Sequence, residues 1–204
     1  MGAGNYADRT VGGADDAPPY VGEGECVFQV RFHGRGGQGV VTAAELLSVA
    51  AFVDGRHAQA FPVFGSERTG APVMAYCRID DRPIRTHEPI TRPDALVIQD
   101  VTLLHAVDVF AGFDGGPVLV NTTGEIEVPG RLIRVAASDL AREHLGRPLP
   151  GAPLLAALLA ATGIATLPAL EAAIEERFPP AVARGNIAAA RAAYEGVTAD
   201  AQPA

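Results

Sequence analysis

The sequence predicts a mostly parallel α/β sheet with helices on both faces, a β-hairpin insertion and a helical C-terminal region. Three observations carry that expectation. Short apolar runs at residues 26–32, 95–100 and 117–121 alternate with helical patterns, as strands joined by crossovers do. A glycine-rich turn links the first run to the first helical pattern. From Pro153 onward the apolar spacing is helical throughout.

Taken in order, residues 1–24 are rich in Gly, Ala and Asp and read as a flexible extension. Residues 25–196 form the domain, and 197–204 a short tail. The alternating run 26–32 is the first strand. Residues 42–52 follow as a helix that Gly55 stops. A short second strand spans 57–62. Residues 63–72, with two glycines and no period, read as a structured loop. A hairpin is expected next, with 73–79 as one arm, Asp80-Asp81 as the turn and 82–85 returning. Residues 95–100 are read as a short, continuous apolar run, which suits a strand buried on both faces. Helix is expected over 103–113, strand over 117–121 and 132–136, and a helix capped by Ser138-Asp139 as far as Leu145. Helices at 154–161, 168–178 and 181–194 complete the chain. Their alanine-rich faces suit close packing on the sheet or on another subunit.

Composition narrows the chemistry. The chain has 204 residues, about half of them apolar, and a net charge of −8. That balance argues against a nucleic-acid partner or an anionic membrane surface. All 16 basic residues are arginine, so there is no Schiff-base lysine and no P-loop lysine. Two cysteines, Cys26 and Cys77, are too few for an iron–sulfur cluster and read as buried thiols of a cytoplasmic protein. The amino-terminal residues lack the apolar block of a signal peptide. No metal-ligand spacing and no catalytic triad is visible.

The candidate site is the turn Gly34-Arg35-Gly36-Gly37-Gln38-Gly39, with Thr42 on the helix behind it. Gly34, Gly36 and Gly39 stand at G-x-G-x-x-G spacing between a strand and a helix, the context in which that spacing marks a Rossmann-like anion-binding turn. Arg35 and Gln38 can donate to an anion or a carbonyl. Glu67 and Arg68, in the loop that follows the second strand, could complete a phosphate or carboxylate site. A hydride-transfer enzyme would also place an acid at the end of the second strand for the ribose. Asp54 precedes that strand, and residues 61–64 carry no acid. A free-standing nucleotide-binding dehydrogenase is therefore the weaker alternative, beside a structural or regulatory binding domain.

Two motifs together carry a resemblance. Gly34-Arg35-Gly36-Gly37-Gln38-Gly39-Val40-Val41-Thr42 and Ala60-Phe61-Pro62-Val63-Phe64-Gly65-Ser66-Glu67-Arg68-Thr69-Gly70 resemble the gamma subunit of 2-oxoacid:acceptor oxidoreductases of the pyruvate:ferredoxin type. Residues 78–85 and 93–98 continue the match, and the helical tail with Phe178 and Asn186 extends it. The resemblance implies a multisubunit enzyme that oxidatively decarboxylates a 2-oxoacid to an acyl-coenzyme A. It implies thiamine diphosphate and iron–sulfur clusters in alpha, beta and delta-type partners, and ferredoxin or an NAD-linked acceptor. It also implies that this chain, noncatalytic alone, supports assembly and shapes the coenzyme A site at the glycine turn. The chain departs from the family pattern at Thr69, where a second arginine is usual. It departs again near Gly151-Ala152, where an asparagine is usual.

Overall fold

The computed structural model describes residues 27–63, 70–86 and 88–200. Six strands form one sheet: β1 (Phe28–Arg35), β2 (His57–Val63), β3 (Pro72–Asp80), β4 (Ala95–Ile98), β5 (Pro117–Asn121) and β6 (Arg131–Val135). Among the described residues five α-helices accompany them: α1 (Val40–Val53), α2 (Ala137–Leu145), α3 (Gly151–Thr162), α4 (Leu167–Arg177) and α5 (Pro180–Asp200). The strand order is β2-β3-β1-β4-β5-β6. Pairs β1–β4, β4–β5 and β5–β6 are parallel, whereas β3 is antiparallel to both β1 and β2. The mostly parallel sheet is as expected.

Strand parity sorts the side chains onto two faces. Phe28, Val30 and Phe32 of β1 join Ala75, Cys77 and Ile79 of β3 and Ala95 and Val97 of β4 on one face. There they meet α1, α3, α4 and α5 in a single core. Helix α3 lies deepest, with Leu154, Leu155, Ala156, Ala157 and Leu158 buried on every side, so it reads as apolar all round. Cys77 is buried and unpaired, and burial pushes its thiol pKa up. The opposite face is covered more thinly. Leu96, Ile98, Val118 and Val120 pack there against a 3₁₀ turn, Val101–His105, and the loops after it. The helical cover expected on both faces is therefore lopsided.

Four local expectations need correction. The helix expected over 103–113 is only that 3₁₀ turn, followed by irregular chain. Leu103, Val109, Phe110 and Phe113 reach the sheet from this turn and the chain after it without a regular helix. The hairpin partner of β3 is β2, not residues 82–85, which form no strand. Helix α2 begins at Ala137, so Ser138 lies inside its first turn and is not the cap. Asn121 does that work from β5: its Oδ1 accepts from the Ser138 amide at 2.9 Å. Helix α5 continues to Asp200, past the 196/197 boundary assigned to the tail. Cys26 lies outside the described residues.

Candidate functional site

The glycine turn stands at the carboxyl end of β1, where the chain leaves for α1 on the helical face. Strand β4, beside β1, leaves for the opposite face through the 3₁₀ turn. Connections that diverge between neighbouring parallel strands open a crevice at their carboxyl ends, the usual ligand position in such sheets.

Backbone geometry explains why glycines stand here. A Cβ on Gly34 would come within 2.5 Å of Val40 and 3.2 Å of Gln99 Cβ, so only glycine lets β1, α1 and β4 converge. Gly39 caps α1 in the left-handed region at φ 74° and offers no side chain to the helix amides. Strand β1 runs farther than expected, to Arg35, so Gly34 and Arg35 pair with Val73 and Pro72 of β3. Gly36 extends the contact by donating to Ala71 O at 2.9 Å and accepting from Gly70 N at 3.2 Å.

The polar side chains of the turn lock it in shape. Arg35 Nε donates to Asp100 Oδ2 at 3.1 Å, Nη1 to Gly70 O at 3.0 Å and Nη2 to Thr102 Oγ1 at 2.7 Å. Gln38 Oε1 accepts from the Arg35 amide at 2.8 Å, and Gln38 Nε2 donates to Asp100 Oδ2 at 3.1 Å. Asp100 also accepts from the Thr102 amide at 3.0 Å. Burial alone would raise the Asp100 pKa. Bonds from Thr102 and Gln38 and the charge of Arg35 outweigh it, and the carboxyl lies below its ordinary value. Sequence reasoning missed Asp100 and Thr102. The only signal was an acid closing an apolar strand run.

On the helical side, Gly37, Gln38, Gly39 and Thr42 line a groove of about 340 Å³. Gly151 and Ala152 at the start of α3, Arg147, and Phe178 and Asn186 from the C-terminal region form more of its wall, with Leu46 and Val182 among the apolar residues beside them. Of the sequence-assigned residues, Gly34 to Gly39 and Thr42 are therefore together, with Arg35 turned toward Asp100. Glu67 and Arg68 lie outside the described residues.

His33, at the end of β1, is not poised for acid–base chemistry. Its Nε2 accepts from Arg31 Nε at 3.1 Å, and burial, helped by the Arg31 charge, lowers its pKa to about 3. Asp54 is engaged at the end of α1, accepting from the Thr166 amide at 2.6 Å and hydroxyl at 2.8 Å. Among the described residues, no three His, Cys, Asp or Glu side chains stand together as a metal site. No helix among them is long and apolar enough to cross a membrane.

A glycine-turned, open α/β sheet of this kind defines a Rossmann-like domain. The chain belongs to the pyruvate ferredoxin/flavodoxin oxidoreductase family, whose model matches residues 29–196, and it is a gamma-type subunit. It is 47% identical over 171 residues to the pyruvate synthase subunit PorC of Methanothermobacter marburgensis, covering 83% of this chain and 97% of that one. It is 46% identical over 178 residues to the pyruvate/ketoisovalerate oxidoreductases common subunit gamma of Thermococcus litoralis, covering 83% and 96%. The pyruvate oxidoreductase subunit PORC of Thermotoga maritima superposes with a TM-score of 0.73 at 39% identity, over 83% of this chain and 96% of that one.

Proposed function

We propose that this chain is the gamma subunit of a multisubunit 2-oxoacid oxidoreductase that forms an acyl-coenzyme A, and that it supports assembly and shapes the coenzyme A site. Thiamine diphosphate and the iron–sulfur clusters belong, in this reading, to alpha, beta and delta-type partners. Ferredoxin or an NAD-linked protein takes the electrons. The observation that carries the reading is the glycine turn at the head of α1, opening onto a groove in a chain that has only two cysteines and no lysine. Such a turn receives a phosphate-bearing cosubstrate. Two cysteines cannot hold a cluster by themselves.

The free-standing dehydrogenase alternative is the weaker reading, because Asp54 stands at the C-terminal end of α1, at the opposite end of that helix from the glycine turn. Within the site, Arg35 and Gln38 hold the turn, and the amides behind Gly37 and Gly39 face the ligand. Isolation of the chain with its partners from its native cells tests the reading. Larger subunits carrying thiamine diphosphate and iron should accompany it. The assembly should reduce a viologen dye with one 2-oxoacid, dependent on coenzyme A. A chain that elutes alone would refute the proposal.

A further inference from the structure

Strand β6 ends the sheet, and no strand among the described residues pairs with its outer edge. Its inner edge is accounted for. Arg131 N donates to Gly116 O at 2.8 Å and Val135 O accepts from Thr122 N at 3.0 Å. Arg131, Ile133 and Val135 therefore turn their backbone groups toward β5. Successive residues of a strand point these groups to opposite sides, so Leu132 and Arg134 turn theirs outward. Their amides and carbonyls have no hydrogen-bond partner among the described residues. The strand itself, Arg-Leu-Ile-Arg-Val, contains no proline to block an addition, and only Val135 of the five is buried. Such an edge is a template for a further strand.

What flanks the edge specifies that strand. Residues 131–134 of β6, Ala160 and Ala161 at the end of α3, and Val197 of α5 line a groove of about 290 Å³ on the helical side. The methyl side chains at 160 and 161 leave room for an apolar side chain beside Ile133. Arg131 is engaged on that side, its Nη2 donating to Ala161 O at 2.7 Å, and Asp200 at the end of α5 disfavours a second acid there. Arg134 stands on the other face with Leu132. It is exposed, and its guanidinium has no ion pair among the described residues. An added strand alternates its side chains between the two faces. The complementary one sets an acid beside Arg134 and, one residue along, an apolar side chain in the groove. A second copy of β6 does not meet that description. Paired antiparallel about Ile133, it would set Leu132 opposite Arg134, bring both Arg134 side chains to one face and supply no acid.

We propose that β6 is the docking edge for an extended acidic segment of a partner subunit. The segment pairs with the outward backbone groups of Leu132 and Arg134, sets a carboxylate beside Arg134 and fills the groove over Ala160 and Ala161. Edge arginines repel a like-charged strand and accept an acidic one, so they select the partner as well as hold it. Strands β4 and β5 separate this edge from β1 and the glycine turn, so docking here leaves the candidate site open. That the partner belongs to a 2-oxoacid oxidoreductase rests on the function proposed above; the open edge does not.

Hydrogen exchange read to single residues by mass spectrometry, on the full chain alone and in the complex isolated with its partners, reports the pairing directly. The Leu132 and Arg134 amides should exchange at least about tenfold more slowly in the complex, whereas the Ile133 and Val135 amides are protected in both. Two substitutions then separate docking from folding. Arg134→Pro deletes one outward N–H, a change that an edge strand tolerates where that N–H faces solvent. Arg134→Glu keeps the strand and reverses the charge. Both proteins should melt with the parent. Each should weaken reassociation with the remaining purified subunits by about tenfold, and added salt should recover part of the loss in Arg134→Glu. A loss in Arg134→Pro alone keeps the added strand and overturns its acid. Amides that exchange equally fast alone and in the complex, or association unchanged in both variants, overturn the docking edge and leave the subunit reading in place. Protection that appears in the chain alone and vanishes on dilution gives the edge to a second copy, which also overturns it. A parent that binds no partner refutes the subunit reading and this one together. If Arg134→Pro fails to fold, the exchange of the parent and the affinity of Arg134→Glu decide.

Discussion

At the scale of single residues, the turn shows how a side chain can serve a ligand site without touching the ligand. Arg35 joins β1 to the end of β4 through Asp100 and Thr102, and to the start of β3 through the Gly70 carbonyl. Arg35→Ala should loosen the turn and raise the KM for coenzyme A about tenfold, with a smaller change for the 2-oxoacid. Arg35→Lys should not restore it, since an ammonium cannot reach three divergent acceptors as a planar fork does. Equal effects on both KM values, or full rescue by lysine, would count against this role. His33 supplies a second prediction. Its folded pKa of about 3 lies below the unfolded value near 6.5, so between those limits the unfolded chain binds a proton that the native chain refuses. The stability due to the neutral ring is complete above pH 6.5 and falls as pH drops toward 3, by about 2 kcal/mol at pH 5. Urea unfolding from pH 7 to pH 5 should show that loss, and His33→Gln should flatten it. A slope unchanged by the substitution would place the titration elsewhere. The glycines were legible in the sequence because their spacing is local. Asp100 and Thr102 were not, because a partner 65 or 67 positions away leaves no mark on a turn.

At the scale of elements, the sequence read well wherever a face alternates or an apolar run is short and complete. Strands β2, β4 and β5 and helices α1, α3 and α4 fall within a few residues of their expected ends. The failures share a cause. Residues 103–113 have helical apolar spacing, but their burial comes from the sheet lying beneath them, and the chain satisfies it with one 3₁₀ turn. The apolar pattern of β3 is the same whether its partner follows or precedes it, so the hairpin was placed on the wrong side. Caps supplied from another element are invisible for the same reason, as Asn121 shows for α2. The junction of α1 and α4 is built from a local cap and a distant acid together. Thr166 accepts from Ala169 N at 3.3 Å and donates its hydroxyl to Asp54 at 2.8 Å. Thr166→Ala removes the cap and leaves Asp54 with one partner fewer. Unfolding free energy should fall by about 1–2 kcal/mol. Coenzyme A kinetics should not change, because this junction lies at the opposite end of α1 from the glycine turn. A kinetic effect without a loss of stability would contradict that assignment.

At the scale of the whole molecule, the chain is a sheet that depends on its own carboxyl-terminal third for one of its faces. Phe28, Val30 and Phe32 of β1, Leu119 of β5 and Val135 of β6 share a core with Leu154, Leu155, Leu158 and Leu170. Each large side chain of α3 that is lost from such a core costs about 2–5 kcal/mol, a large part of what holds a domain folded. The same helix starts at the groove, so the element that completes the core also completes the candidate site. Folding and the groove beside the glycine turn thereby share α3. A chain ending at residue 150 keeps all six strands, α1 and the whole glycine turn. It should nevertheless show no cooperative unfolding transition, and it should not enter the complex. Circular dichroism, calorimetry and co-purification with the partner subunits would each register the loss. A truncated chain that melts cooperatively would show that the sheet is covered without α3. One that also assembles and leaves the coenzyme A KM unchanged would remove α3 from the site. The expected result ties the glycine turn, legible from the sequence alone, to a helix start more than a hundred residues later, and only the packed core brings the two together.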